Sequence, residues 1–78
     1  MGLQEQRQKK GYSQSELSLA TGISKRTIQH YEQGARRIDS ANLETLCTFA
    51  IALGCQIEEL LVDEELRKKY KMASEKRA

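Results

Sequence analysis

Residues 13 to 34 contain two short helical patterns joined at Gly22, and this arrangement constrains the fold more than any other part of the sequence. Each pattern begins with a serine, Ser13 or Ser24, a residue type that caps helix N-termini. Each then repeats apolar residues at three-residue spacing, so one face of each helix can be buried. The apolar residues of these two faces are Leu17, Ala20, Ile28 and Tyr31.

The glycine between the two patterns has a specific structural role. Gly22 can adopt the left-handed backbone conformation that ends one helix and lets the chain turn sharply into the next. The sequence therefore predicts a helix-turn-helix, a motif whose second helix can enter the major groove of DNA.

Three further helices are predicted outside this motif. The first covers Leu3 to Lys10 and ends at Gly11. The fourth ends at Gly54 and follows a connection over residues 35 to 42 that Ile38 anchors to the core. Its buried face repeats at helical intervals, and a short fifth helix follows. The residues of these two faces are Leu43, Leu46, Phe49, Ala50 and Leu53, then Ile57, Leu60 and Leu61. We therefore expect an all-α fold, a compact five-helix bundle.

The order and spacing of several fragments resemble the Cro and lambda-repressor-like family of helix-turn-helix regulators. The resemblance runs from about Leu3 to Leu61. The fragments that carry it are Gly11-Tyr12-Ser13-Gln14, Glu16-Leu17, Gly22-Ile23-Ser24, Thr27-Ile28, Tyr31-Glu32-Gln33-Gly34, Leu43-Glu44-Thr45-Leu46 and Ala52-Leu53-Gly54. The resemblance implies a lambda-repressor-like DNA-binding domain over residues 1 to 62, followed by a charged helical extension or tail over residues 63 to 78.

Charge is distributed unevenly along the chain, although the net charge is only +2. Residues 1 to 37, which include the helix-turn-helix, carry a balance of +4, and residues 67 to 78 carry +5. Residues 38 to 66 carry −7 and contain no lysine or arginine. A basic block on the helix-turn-helix is expected for a surface that faces phosphates. Ordinary solvated charge is the alternative explanation.

Length and composition favour one small soluble domain. The chain has 78 residues, of which 38% are apolar and 31% charged, and no apolar run is long enough to span a membrane. We therefore expect a cytoplasmic protein. Cys47 and Cys55 lack metal-ligand spacing and His30 is distant in sequence, so we expect two reduced thiols, no metal and no cofactor. Without a phosphate loop or a paired nucleophile and base, the sequence predicts no enzymatic activity.

The outward face of the third helix, about Lys25 to Gln33, carries the candidates for reading bases. Ile28 and Tyr31 must face inward, so the remaining polar side chains point away from the core. These candidates are Lys25, Arg26, Gln29 and His30. Lysine and arginine can donate to guanine O6 and N7, glutamine can pair with adenine N6 and N7, and histidine can donate or accept. Solvent exposure without a DNA contact is the alternative for each.

A second group of residues is expected to contact the DNA backbone. Gln14 opens the second helix, where unpaired N–H groups attract phosphate, and the matching family position contacts the backbone. Thr27 can meet a phosphate with its hydroxyl or a thymine with its methyl group. The resemblance also assigns backbone contacts to residues that follow the third helix or end it, which are Gln33, Arg36 and Arg37 here.

The resemblance further implies an ion pair between Arg7 in the first helix and Glu32 near the end of the third. Such a pair would lock the two helices in their relative orientation and present Arg7 toward a phosphate. Two independent exposed charges are the alternative.

Together, these residues and the resemblance predict sequence-specific binding to a double-stranded DNA operator by a transcriptional regulator, and family habit favours repression. One recognition helix covers only a few base pairs, so two copies about 34 Å apart on a palindromic site, and hence a homodimer, are expected. The expected dimer surface, unless its residues close the monomer core, is formed by Leu60, Leu61, Val62 and Leu66. The alternative function is that of an antitoxin, which binds a toxin through its charged tail and represses its own operon.

Overall fold

The structure is a computed structural model that describes residues 2 to 77, with side chains described through residue 73. The described residues form five α-helices and no strand. The elements are α1 Leu3–Lys10, α2 Gln14–Thr21, α3 Lys25–Gln33, α4 Leu43–Leu53 and α5 Glu64–Arg77, with 3-10 turns at Ile38–Ser40 and Ile57–Glu59. The all-α, five-helix expectation is confirmed, and residue 78 of the expected tail lies outside the described residues. Across the part of the chain described, each helix is too short or too polar to cross a bilayer.

Side chains cap the helix starts that the serines indicate. The N–H of Glu16 donates to Ser13 Oγ over 3.0 Å, and the N–H of Ser13 donates back to Glu16 Oε1 over 2.8 Å. The backbone bond from Ser13 and then the bond to its side chain lower the pKa of Glu16. Ser24 caps α3 by accepting the N–H of Thr27 over 3.1 Å, and Asn42 caps α4 in the same way. Three successive helices therefore begin where local side-chain bonds fix them.

The core lies where the first four helices meet, and the turn before α5 closes it. Its fully buried side chains are Phe49, Leu17, Ile28 and Leu60. The other buried apolar residues are Leu3, Ile38, Leu46, Leu53 and Leu61. Ile38 is 4% exposed, so it anchors the connection between α3 and α4 as the sequence predicts.

The prediction that Ala20 and Leu43 are buried is wrong, because both side chains are exposed, Leu43 by 64%. Successive helical residues are turned by about 100°, which places Ala20 on one side of Leu17 and Thr21 on the other. Thr21 is half-buried, so α2 turns that side toward the core. Leu43 stands in the first turn of α4, and Ile51 near the end of the same helix is also exposed, by 83%.

The segment expected to form the fifth helix is only a turn at Ile57–Glu59, and the two leucines that follow it complete the core. A helix does not continue because the carboxylate of Asp39 accepts the next two backbone N–H groups. These belong to Val62 at 2.7 Å and Asp63 at 3.1 Å. Asp63 then caps a new helix by accepting the N–H of Glu65 over 2.9 Å. The fifth helix is therefore α5, formed by the charged segment.

Candidate nucleic-acid interface

Two hydroxyl groups fix the turn between α2 and α3. Ser18 Oγ donates to the carbonyl of Ile23 over 2.7 Å, and Thr21 Oγ1 accepts the N–H of Ile23 over 3.1 Å. Gly22 has φ of 75°, and a Cβ there would meet no atom within 4 Å. The left-handed backbone, rather than a lack of space, therefore requires glycine. The turn holds α3 at a defined angle to α2.

Helix α3 buries one face and leaves the other open. Ile28 is fully buried, and Tyr31 packs edge-on against Phe49 with ring centres 6.0 Å apart and ring planes at 88°. Lys25 and Arg26 are exposed in the first turn of the helix. The end of α3 that would enter a groove first thus carries two accessible cations.

Arg7 and Glu32 form a two-point ion pair between α1 and α3. Nε of Arg7 lies 2.7 Å from Oε2 of Glu32, and a terminal nitrogen donates to Oε1 over 3.1 Å. The side chains are 11% and 3% exposed, so solvent screens the pair little. The other terminal nitrogen donates to the carbonyl of Tyr12 over 2.8 Å, and the bond to Glu32 raises the pKa of Arg7. The guanidinium therefore joins α1, α3 and the turn before α2.

Glu32 also begins a chain of side-chain amides that reaches the open face of α3. Gln14 Nε2 donates to Glu32 Oε1 over 3.0 Å, and Gln29 Nε2 donates to Gln14 Oε1 over 3.2 Å. An ionised carboxylate only accepts, so Gln14 must turn its NH₂ group toward Glu32 and its oxygen toward Gln29. Among the residues that the structure describes, no partner takes the oxygen of Gln29 or its second N–H.

Sequence reasoning selects Gln14 and Gln29 separately and misses the contact between them. A bond between two helices leaves no signal in the periodicity of either one. The single available signal is that both are long amides next to a helix-turn-helix, which is too general to assign a contact.

The other residues expected at the DNA lie around α3. Gln33 is exposed, whereas His30 is half-buried and its carbonyl accepts the N–H of Arg36 over 3.1 Å. Thr27 Oγ1 accepts a hydrogen bond from the Ser24 hydroxyl over 2.9 Å. The side chains of His30 and Thr27 are therefore less open to solvent than that of Gln33, and the Thr27 hydroxyl already has a partner in Ser24.

The two arginines of the loop after α3 each lie close to a neighbouring side chain. The guanidinium carbon of Arg36 lies 5.8 Å from the centre of the Tyr31 ring. A terminal nitrogen of Arg37 lies 3.7 Å from Oδ2 of Asp39, and the two side chains are 68% and 8% exposed. Sequence reasoning misses Asp39, since nothing distinguishes it from the other carboxylates of the acidic block.

The residues expected at a dimer surface fall into two groups. Leu60 and Leu61 are 0% and 3% exposed and belong to the monomer core, which is the alternative stated above. Leu66 is half-buried against that core, and Val62 is 61% exposed. Of these four residues, Val62 is the one that the monomer leaves most open.

Comparisons with known proteins identify the family of this fold. A family model described as "Helix-turn-helix" matches residues 3–60. Over 47 residues the chain is 45% identical to the SPbeta prophage-derived uncharacterized HTH-type transcriptional regulator YotL of Bacillus subtilis (strain 168). That alignment covers 60% of this chain and 56% of the relative, and so only about half of the relative's length. No solved structure matches significantly. The chain therefore belongs to the Cro and lambda-repressor-like helix-turn-helix family of DNA-binding transcriptional regulators.

Proposed function

We propose that this protein is a transcriptional repressor that recognises an operator in double-stranded DNA by inserting α3 into the major groove. The observation that carries the proposal is the fixed amide of Gln29 near the exposed cations Lys25 and Arg26. These three groups occupy the first part of one helix, and each can reach a base edge. We infer repression rather than activation because regulators of this family commonly act as repressors.

The chemistry of these side chains specifies the bases they can read. Lys25 and Arg26 donate to O6 and N7 of guanine. Gln29 can accept from N6 of adenine with its oxygen and donate to N7 with its second N–H. Since Gln14 and Glu32 fix the amide of Gln29, little orientational freedom is lost when this pair forms. We therefore expect an adenine opposite Gln29 and guanine opposite the cations.

Contacts to phosphates on both sides of the groove would position α3. Gln14 lies at the N-terminus of α2, where free backbone N–H groups favour a phosphate. The loop after α3 supplies exposed cations on the other side. The further backbone residues in this proposal are Thr27, Gln33, Arg36, Arg37 and the exposed part of Arg7.

Specific recognition by so small a motif calls for two copies. One α3 reads only a few base pairs, so we propose a homodimer on a palindromic site in the cytoplasm. We assign the DNA-binding domain to residues 1 to 62 and treat residues 63 to 78 as its extension. The exposed Val62 lies between the two parts and is the proposed centre of the dimer contact.

The first test selects binding sites from random duplexes with the purified protein at about 150 mM salt, which suppresses weak phosphate attraction. Enrichment of a palindrome with half-site centres about ten base pairs apart supports the proposal. A folded protein that enriches no sequence contradicts it and redirects the search toward a toxin partner.

A matched pair of lysine variants separates base reading from net charge. Lys25→Ala removes a cation from α3, and Lys9→Ala removes an exposed cation from α1 that lies 3.9 Å from Glu5. We expect Lys25→Ala to relax the selected sequence at one position. Lys9→Ala should leave that sequence unchanged.

A further inference from the structure

Asp39 joins two parts of the fold that lie far apart in the sequence. Its Oδ1 accepts the N–H of Val62 over 2.7 Å, and its Oδ2 accepts the N–H of Asp63 over 3.1 Å. These two N–H groups come directly before α5, and the Asp39 side chain is only 8% exposed. Hydrogen bonds to a carboxylate are stronger than those between neutral groups. The start of α5 is thereby fixed to the loop after α3.

The same carboxylate faces Arg37 of that loop. Arg37 approaches Oδ2 of Asp39 to 3.7 Å, and the carbonyl of Arg37 accepts the N–H of Ser40 over 3.2 Å. The N–H of Arg36 donates to the carbonyl of His30 in α3 over 3.1 Å. Asp39 therefore lies where the end of α3, the arginine loop and the start of α5 meet.

Helix α5 packs against the turn at Ile57–Glu59 and is fixed at its start by Asp39. Asp63 caps it, and Leu66 and Tyr70 pack against the core. If α5 moved, the N–H groups of Val62 and Asp63 would leave the carboxylate. The loop would then lose one of the contacts that orient it, while Ile38 would still anchor it to the core.

We propose that Asp39 is a positioning residue that couples the placement of α5 to the presentation of Arg37 to a DNA phosphate. This rests on the proposed function, which assigns Arg37 to the DNA backbone. Asp39 itself touches no DNA and acts through the shape of the loop. Because such coupling is reciprocal, a contact made by α5 far from the recognition helix changes DNA affinity, and DNA binding changes the stability of α5.

The first arm of the test measures amide hydrogen exchange by NMR in the free protein. Asp63→Ala removes the cap of α5 but keeps the backbone N–H that Asp39 binds. We expect exchange of the Ser40 and Arg36 N–H groups to accelerate by about tenfold, as local opening of the loop requires. The Phe49 N–H in the core should be unchanged, which controls for global unfolding. Unchanged exchange at Ser40 and Arg36 overturns the coupling.

The second arm is a double-mutant cycle on operator binding with the full chain. In the wild-type background, Arg37→Ala should weaken binding about fivefold and reduce the salt slope by about one. In the Asp39→Asn background, which keeps the side-chain shape, the same change should cost less than about twofold. Glu44→Gln removes an equal charge from the exposed side of α4 and serves as the control that retains the full Arg37 effect. Equal Arg37 costs in the wild-type and Asp39→Asn backgrounds overturn the proposal.

The two arms keep failure of the coupling distinct from failure of the proposed function. If the wild-type protein binds no duplex selectively, the proposed function is wrong, and so is the role of Arg37 at a phosphate. The exchange comparison then still decides whether Asp39 couples α5 to the loop.

Discussion

The side-chain amides of Gln14 and Gln29 lie within 3.2 Å of each other, donor nitrogen to acceptor oxygen, and Glu32 determines the direction of that bond. Gln14 must donate to the carboxylate, which leaves its oxygen to accept from Gln29. The residue that locks α3 to α1 thus also determines which atoms of Gln29 face outward. Helix packing and the proposed base reading share one hydrogen-bonded network.

Substitutions in this amide chain should separate the loss of the base-reading group from the loss of its orientation. Gln29→Ala should lose about 1–3 kcal/mol of preference at one base pair, since the reading group is gone. Gln14→Ala should lose roughly 1 kcal/mol of the same preference, because the amide of Gln29 then rotates freely. Titration of the selected operator and its single-base variants at one salt concentration measures both. Gln33→Ala provides the contrast, with weaker binding and unaltered base preference.

Removal of Glu32 should destabilise the fold strongly. Glu32→Ala leaves the guanidinium of Arg7, which is 11% exposed, without its partner, and should lower the free energy of unfolding by about 3 kcal/mol. Urea unfolding followed by circular dichroism measures the loss. Lys9→Ala breaks an exposed pair on α1 and should cost less than about 0.5 kcal/mol. A loss below about 1 kcal/mol for Glu32→Ala would show that the pair behaves as a surface contact.

The two kinds of arginine should differ in how salt affects their contribution. Arg36→Ala should weaken binding to all sequences and reduce the slope of log K against log salt by about one. Arg26→Ala should instead relax the selected sequence at one position. Binding isotherms at several salt concentrations on matched and mismatched duplexes distinguish the two. An altered base preference in Arg36→Ala would contradict its assignment to the backbone.

The cap of α2 should contribute to acid sensitivity. Because the pKa of Glu16 is lowered in the fold, its contribution is present above the ordinary carboxyl pKa and is lost as pH falls through the lowered value. Glu16→Gln keeps the capping geometry without the charge. Unfolding curves across the acidic range should therefore show a shallower loss of stability in this variant. If the wild type and Glu16→Gln lose stability equally as pH falls, the ionised cap has no role in acid sensitivity.

Cys55 should be a slow nucleophile in the folded protein. Burial, followed by the nearby charges of Glu59 and Glu58, raises the pKa of its thiol. Alkylation mapped by mass spectrometry should be slower for folded than for urea-unfolded protein at neutral pH. The stability that this raised pKa contributes is fully present below the ordinary thiol pKa. It is lost as pH rises through the raised pKa. Equal alkylation rates in the folded and unfolded chain would contradict this.

The features predicted from sequence are those that depend on neighbouring residues. Ser13, Ser24 and Gly22 act on their own helix ends, so the bounds of α2 and the start of α3 follow from local chemistry. The Arg7 to Glu32 pair was accessible through family resemblance rather than through the residues themselves. The contact of Glu32 with Gln14, and through Gln14 with Gln29, could not be predicted from the sequence.

The features missed depend on contacts between distant segments. No helix continues past Leu61 because Asp39 accepts the N–H groups of Val62 and Asp63, and no local pattern near residue 60 predicts that contact. Ala20 fits a helical repeat, yet the rotation of α2 about its axis, which packing determines, turns it to solvent. Periodicity indicates that a helix has a buried side but locates that side only approximately.

The bonds from Asp39 to the start of α5 also bear on the order in which the parts of the protein unfold. The carboxylate can receive the N–H groups of Val62 and Asp63 only after Ile38 has anchored the loop that carries it to the core. We therefore expect α5 to dock after the loop has folded and to open before the helix-turn-helix does. Opening of α5 would uncover Leu66 and Tyr70, so we expect a protease to cut first in the C-terminal helix.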